Sequence, residues 1–167
     1  DSVSIYSPSD SRFECADDLA GELDCQVSAV DSPRAAVEGA TVVVTATTAA
    51  EPVFPGEALE PGALVIAVGA YSADTREIDT TTFDRAATVF ADVPEEVAGI
   101  GDLLAVDLTA EDLRPFASVF TEEWSRVTED DIVIVESVGT AVLDAAAAEH
   151  VYERAEETGA GTEVGLE

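Results

Sequence analysis

The stretch Gly39-Ala-Thr-Val-Val-Val-Thr-Ala-Thr-Thr48, with Glu51-Pro-Val-Phe-Pro-Gly56 and Gly62-Ala-Leu-Val-Ile-Ala-Val-Gly-Ala-Tyr71 after it, decides the fold. Thr41 to Thr45 and Leu64 to Val68 are short, continuous β-branched runs bounded by Gly and Pro. Such runs predict strands covered on both faces, as in a parallel sheet. Each run ends in small or hydroxylic residues, Thr45-Ala-Thr-Thr48 and Gly69-Ala-Tyr71. Small residues past a strand's carboxyl end let a ligand approach the backbone, and in open α/β sheets that edge is where ligands bind.

Working outward, Val3 to Tyr6 reads as a strand and Ser7-Pro-Ser-Asp10 as turn chemistry. Arg12 to Leu23 then reads as a helix with Phe13, Ala16, Leu19, Ala20 and Leu23 on one face. Gln26 to Val30 is a second strand. Ser32 caps a helix that begins at Pro33 and ends at Gly39. This alternation predicts a parallel sheet with right-handed crossovers. Downstream, Arg76-Glu77 reads equally as a local ion pair or a ligand contact. A helix near Thr81 to Ala86 and a strand over Thr88 to Ala91 follow. Residues 92–128 read as an acidic connecting region with short helices around Gly101-Asp-Leu-Leu, Thr109 to Asp112 and Phe116 to Trp124. Asp131 to Val135 is a buried strand. After Glu136-Ser-Val-Gly-Thr140 an Ala-rich helix runs from Ala141 to about Glu157 and stops at Gly159, its small side chains suited to packing on another helix or subunit.

The 167 residues suffice for one domain. They carry 36 Asp and Glu against 7 basic residues, all Arg, for a formal net charge of −29. That balance excludes nucleic-acid binding through a basic footprint. It fits either a disordered, DNA-mimicking chain or a globular protein adapted to high salt, where surface repulsion is screened. The 47% hydrophobic content and the spread of acids through periodic segments favour the second. No run approaches the roughly 18 apolar residues of a membrane span, so the expected address is soluble and cytoplasmic. Cys15 and Cys25 match no disulfide framework or zinc spacing and read as buried or half-buried apolar residues. Asp17-Asp18 and Glu129-Asp-Asp131 resemble no calcium loop and read as solvated surface, so no metal site is expected. His150 sits inside the last helix, where a surface or interface role fits better than catalysis.

The candidate chemistry lies at three strand ends: Thr45 to Thr48, Val68 to Tyr71 and Ser137 to Gly139. The last precedes a helix amino terminus, which favours anions or carboxamides, although Ser-x-Gly there also serves as an ordinary cap. Together the three ends define one crevice for a nucleotide or other small molecule.

The landmarks resemble the ornithine cyclodeaminase and mu-crystallin family, which includes archaeal alanine dehydrogenases and ketimine reductases. They are Ala40 to Phe54, Pro61-Gly-Ala63, Ala67-Val-Gly-Ala-Tyr-Ser-Ala-Asp-Thr-Arg-Glu-Ile-Asp79, Gly101-Asp-Leu-Leu104 and Glu136-Ser-Val-Gly-Thr-Ala-Val-Leu-Asp144, with Val151-Tyr152. The resemblance implies an α/β, Rossmann-type NAD(P)-binding domain, a mostly parallel sheet with flanking helices, joined to a second domain that dimerises and supplies much of the substrate site. It implies that Thr47, Val65, Ile66, Ala67, Val68 and Ser137 meet the cofactor and that Val138 and Gly139 border an amino-acid or imine substrate.

Three departures qualify the resemblance. Tyr71 stands at the position of the family's catalytic Asp, and Thr75 at that of a neighbouring Lys. Cyclodeamination therefore loses its proton-handling carboxylate, while hydride transfer to an imine remains open, with Tyr71 as a substrate contact. Ser7 stands where an acidic residue usually holds the adenosine ribose; with Arg12 nearby, NADP is slightly preferred over NAD. No Gly-x-Gly-x-x-Gly loop or strand before it is present, so the chain reads as a piece of a longer, homodimeric protein. Residues 1–135 then form a partial dinucleotide-binding domain, and 136–167 a C-terminal helix packing back on the fold or on the dimerisation domain. The functional expectation is a nicotinamide-dependent amino-acid or imine oxidoreductase, this chain alone being inactive; the alternative is a non-catalytic binding or oligomerising protein, or an inactive fragment.

Overall fold

The computed structural model describes residues 2–121, 124–126, 128–162 and 164. Its elements are β1 (Ser2–Ile5), α1 (Ser11–Glu22), β2 (Gln26–Ala29), α2 (Pro33–Val37), β3 (Val42–Thr45), β4 (Leu64–Ala67), α3 (Thr80–Arg85), β5 (Ala86–Ala91), α4 (Pro94–Val97), α5 (Gly101–Leu104), β6 (Arg114–Pro115), α6 (Ser118–Thr121), β7 (Ile132–Glu136) and α7 (Ala141–Thr158). All pairings between these strands are parallel, as the alternation predicts. Five strands form the main sheet in the order β3-β4-β7-β5-β6, and β1 and β2 pair as a separate two-stranded sheet.

Local chemistry explains the boundaries. The Ser32 hydroxyl accepts from the Ala35 N–H with Pro33 opening α2, Asp79 accepts from Thr82 N–H to start α3, and Thr140 accepts from Leu143 N–H to start α7. Gly159 ends α7 in the left-handed region at φ 66°, a conformation nearly free for glycine alone. Of the expected Phe116 to Trp124 helix, α6 spans Ser118–Thr121, and Glu122 and Glu123 lie outside the described residues.

The main sheet is covered on one face from β3 to β5, and on the other face Phe90 of β5 and Val133 of β7 are buried while β3 is open. Val43, Val65, Ala67 and Ile134 point into a core shared with Phe54, Leu59, Ile78, Phe83, Val97 and Leu103. The expectation that Thr41 to Thr45 and Leu64 to Val68 are covered on both faces is corrected: Val42 is 51% exposed, Val44 60% and Val68 45%. Strand residues alternate between faces, and no described element packs over the second face of β3. The expected apolar face of α1 is corrected for the same reason. Only Ala16 is buried there, Phe13 and Leu23 are exposed, and the Arg12 guanidinium lies 4.3 Å from the Phe13 ring centre. Cys15 is exposed rather than buried, and Cys25 is half-buried. The acidic region 92–128 is no bare connector, since Val97, Ile100, Leu103 and Leu113 are core residues. Along α7 no residue is buried, and Val142, Leu143, Val151 and Tyr152 all lie more than half exposed.

Candidate functional site

The registers place Thr45, Ala67, Glu136 and Ala91 in one row across β3, β4, β7 and β5. The loops that follow these residues therefore open along a single edge, and three of them are the strand ends singled out by the sequence. Each loop is held by a carboxylate. Glu77, fully buried, accepts from the Thr45 hydroxyl at 2.9 Å, from Thr47 N–H at 2.5 Å and from Gly69 N–H at 2.8 Å. One side chain thus fixes the turns after β3 and β4. Neither reading of Arg76-Glu77 as an ion pair or a ligand contact describes this: Arg76 donates to the Ile78 carbonyl, and Glu77 takes backbone donors instead.

Glu77 is held in turn by α5. Asp102 Oδ1 accepts from Glu77 N–H at 2.9 Å and from Ile78 N–H at 2.7 Å. Gly101, immediately before it, donates to the Ser72 carbonyl, and a Cβ there would meet the Thr75 and Ala73 carbonyl oxygens. Gly69 is equally crowded, by Thr47 backbone atoms and the Glu77 carboxylate. The separated motifs Gly101-Asp102, Arg76-Glu77, Thr45 to Thr47 and Gly69 to Tyr71 are therefore one hydrogen-bonded unit. The last loop has its own carboxylate. Asp92, just past β5, accepts from Ser137 Oγ at 2.7 Å, Gly139 N–H at 2.9 Å and Val138 N–H at 3.3 Å. Sequence reasoning named Glu77 without its role and missed Asp92, Asp102 and Glu136 as site residues. The available signal was an acid following a continuous apolar strand, as in Val135-Glu136 and Ala91-Asp92.

The named site residues fall into three groups. Thr47, Val68 and Tyr71 are exposed at the edge, Tyr71 by 64%. Ser137 and Val138 are half-buried beside them, and Gly139 is exposed. Val65 and Ala67 are core residues at 0% and 1% exposure, so a ligand can meet only their backbone; Ile66 and Val68 point to the open face. That face forms a 440 Å³ apolar groove with Ile66, Val68, Phe90, Val135, Ser137 and Leu143 among its walls. Thr75 is buried and accepts from the N–H groups of Tyr71 and Ser72 at 3.0 Å. It closes the turn that carries Tyr71.

At the end of β1, Arg12 Nη1 donates to the Ser9 carbonyl at 2.8 Å and the Ser7 carbonyl at 3.3 Å. Its Nε is buried with no partner among the described residues. The hydroxyls of Ser7, Ser9 and Ser11 are hydrogen-bonded in series around the same turn. Ser7 and Arg12 are thus brought together at the end of β1. Among the described residues no acid, His or Cys cluster is arranged to hold a metal, and no helix is long and apolar enough to cross a membrane.

The family model for the ornithine cyclodeaminase/mu-crystallin family matches residues 1–159. An uncharacterised cyclodeaminase of Sinorhizobium fredii is 36% identical over 145 residues, covering 81% of this chain and 43% of the relative. The ketimine reductase mu-crystallin of Mus musculus is 34% identical over 143 residues, covering 84% and 44%. The chain thus spans under half the length of these curated relatives. Among solved structures, the Δ1-pyrroline-2-carboxylate reductase of Thermococcus litoralis, in complex with NADH and L-proline, superposes with a TM-score of 0.87 at 27% identity, over 98% of this chain and 53% of that one. An archaeal alanine dehydrogenase dimer with bound NAD shares the fold at a TM-score of 0.82 and 23% identity.

Proposed function

The chain belongs to the ornithine cyclodeaminase/mu-crystallin family, and from that premise we propose that it is the nicotinamide-binding part of an oxidoreductase acting between an amino acid and its imine. The carrying observation is the single edge at which Thr47, Val68, Tyr71 and the Ser137 to Gly139 turn converge under the hold of Glu77 and Asp92. The residues fit such a cofactor. Gly69 and Gly101 leave no room for a Cβ, so the loops pack closely together, and Thr47 and Val68 stay exposed at their edge. The bound nicotinamide supplies hydride chemistry. Thr47 and Ser137 would hold it, with contact to Val68, while Val138, Gly139 and Tyr71 face the substrate. Asp92 already occupies the Ser137 hydroxyl as acceptor, so Ser137 offers a ligand its oxygen lone pairs.

Tyr71, exposed and without a carboxylate's proton chemistry, favours imine reduction over cyclodeamination. At the end of β1, Ser7 carries no charge to repel a ribose phosphate and Arg12 stands beside it, which favours NADP over NAD. The exposed apolar residues of α7 fit a second domain or a partner subunit in a homodimer. Cytoplasmic action in a salt-rich interior belongs to the same reading, with −29 formal charges screened by salt.

The test is a thermal melt in molar KCl with and without each reduced cofactor. A ligand present at about 100 times its Kd stabilises the fold by about 2.7 kcal/mol. For a chain of this size that raises the midpoint by roughly 5–10 °C. NADPH should give the larger shift. No shift with either cofactor overturns the nicotinamide reading; an equal or larger shift with NADH overturns only the NADP preference.

A further inference from the structure

Beneath the strand ends four acids meet, and one of them has no hydrogen-bond partner among the described residues. Glu136 ends β7 on the core face, in the row with Thr45, Ala67 and Ala91, and is 0% exposed. Neither of its oxygens has a hydrogen-bond partner among the described residues. The groups acting on it are Asp102 from α5, Glu77 from the segment before α3 and Asp92 from the end of β5, all acids. Arg76 is the cation felt in this cluster; it acts on Asp102 and spends its Nε on the Ile78 carbonyl. Among the described residues the acids are not disposed to share a metal ion. Asp102 repeats the pattern in half: Oδ1 takes two N–H groups, while Oδ2 is buried with no partner among the described residues.

A buried charge survives only when paired and hydrogen-bonded; otherwise the group takes the form that carries no charge. We propose that Glu136 is a positioning residue kept as the neutral acid. The Oδ2 of Asp102 accepts a hydrogen bond from the Glu136 O–H, directly or through one buried water, so that Asp92 can hold the Ser137 to Gly139 turn without a second negative charge beside it. Asp92 is saturated as an acceptor: Oδ1 takes Val93 N–H at 2.8 Å and Val138 N–H, and Oδ2 takes Ser137 Oγ and Gly139 N–H. A charged Glu136, one residue before that turn, would push against it.

Burial first, and then the charges of Asp102, Glu77 and Asp92, hold the Glu136 carboxyl well above its ordinary value of 4.5. Burial likewise raises Asp102. Because the folded pKa is raised, the unfolded chain releases its proton first as pH climbs past 4.5. The stability tied to the neutral acid is then lost progressively up to the folded pKa. Ionisation of Glu136 should loosen the turn at the same point.

The experiment is infrared spectroscopy of the full chain in deuterated buffer with molar KCl, reading the carbonyl stretch of protonated side-chain carboxyls. At neutral pH the wild type should show such a band. The band should vanish in Glu136→Gln, shift in frequency in Asp102→Asn, and disappear from the wild type as pH is raised. Hydrogen-exchange protection of Val138 and Gly139 should fall together with it. Glu136→Gln, which stays neutral and keeps a donor for Asp102, should hold that protection across the same pH range. Absence of an acid band at neutral pH, or its survival in Glu136→Gln, overturns the proposal. So does unchanged protection of Val138 and Gly139 through the wild-type titration. If Glu136→Gln does not fold, an unmoved band in Asp102→Asn is the overturning result. None of these readouts involves a nicotinamide, so their failure is distinct from failure of the cofactor reading.

Discussion

Replacing Glu77 by Gln probes the linchpin of the site, because the change keeps shape and removes one acceptor. In the native chain Oε2 serves the Thr45 hydroxyl and Gly69 N–H, and Oε1 serves Thr47 N–H. The amide oxygen of Gln can take the Oε2 place and keep two bonds. Its NH2 then faces the Thr47 N–H, donor against donor. A hydrogen bond to a charged group contributes about 1.5–3 kcal/mol, and a buried donor left unmet costs about 1–3 kcal/mol. The two surviving bonds weaken as the charge goes. Relief of repulsion towards Asp102 works in the opposite sense. The balance is a loss of about 3 kcal/mol, a large share of the roughly 5–15 kcal/mol that holds a domain folded. At about 2–4 °C per kcal/mol for this size, the midpoint should fall by roughly 6–12 °C. The assay is a reversible thermal melt in molar KCl, with hydrogen exchange at Thr47 and Gly69 to localise the loss. Glu57→Gln is the control, since Glu57 pairs with Arg34 on the surface and should change stability by less than about 1 kcal/mol. A Glu77→Gln midpoint within about 2 °C of wild type would refute the assignment of Glu77 as the tie between the two turns.

Gly69→Ala forces a Cβ onto Thr47 backbone atoms and should cost about 1–3 kcal/mol. Gly21→Ala meets nothing within 4 Å in α1 and should stabilise by about 0.5–1 kcal/mol; equal midpoints for the two variants would contradict the crowding at Gly69. Stability should rise as KCl is increased from about 0.1 M, where the Debye length is ~10 Å, to about 1 M, where it is ~3 Å. A midpoint independent of salt would rule out self-repulsion of the 36 acids as a destabilising force. Above pH 4.5, unfolding free energy should decline with a slope of up to about 1.4 kcal/mol per pH unit for the proton on Glu136. Glu136→Gln should remove that component of the slope in urea melts run across the range.

Most elements were legible because their signals are local. Ser32-Pro33 starts α2, Gly159 stops α7, and the β-branched runs at Val42 and Leu64 are strands, each decided by neighbours in sequence. The convergence of Thr47, Tyr71 and Ser137 was legible too, since parallel strands present their carboxyl ends at one edge. Coverage was not. The Val-Val-Val run in β3 looks identical whether one face or both are packed, because hydrophobicity alone does not say what lies opposite.

By itself the sequence determined an α/β chain of parallel strands, the loops that carry the candidate site, and a formal net charge of −29. The entry of β7 between β4 and β5, and with it the row Thr45, Ala67, Glu136, Ala91, was decided only by the tertiary structure. So was the gathering of Glu77, Asp92, Asp102 and Glu136. These acids are 10 to 59 residues apart in sequence, and in so acidic a chain each looks like any other surface carboxylate. What separates them is burial beside backbone donors or beside one another, a property of packing over long distances that no local pattern records.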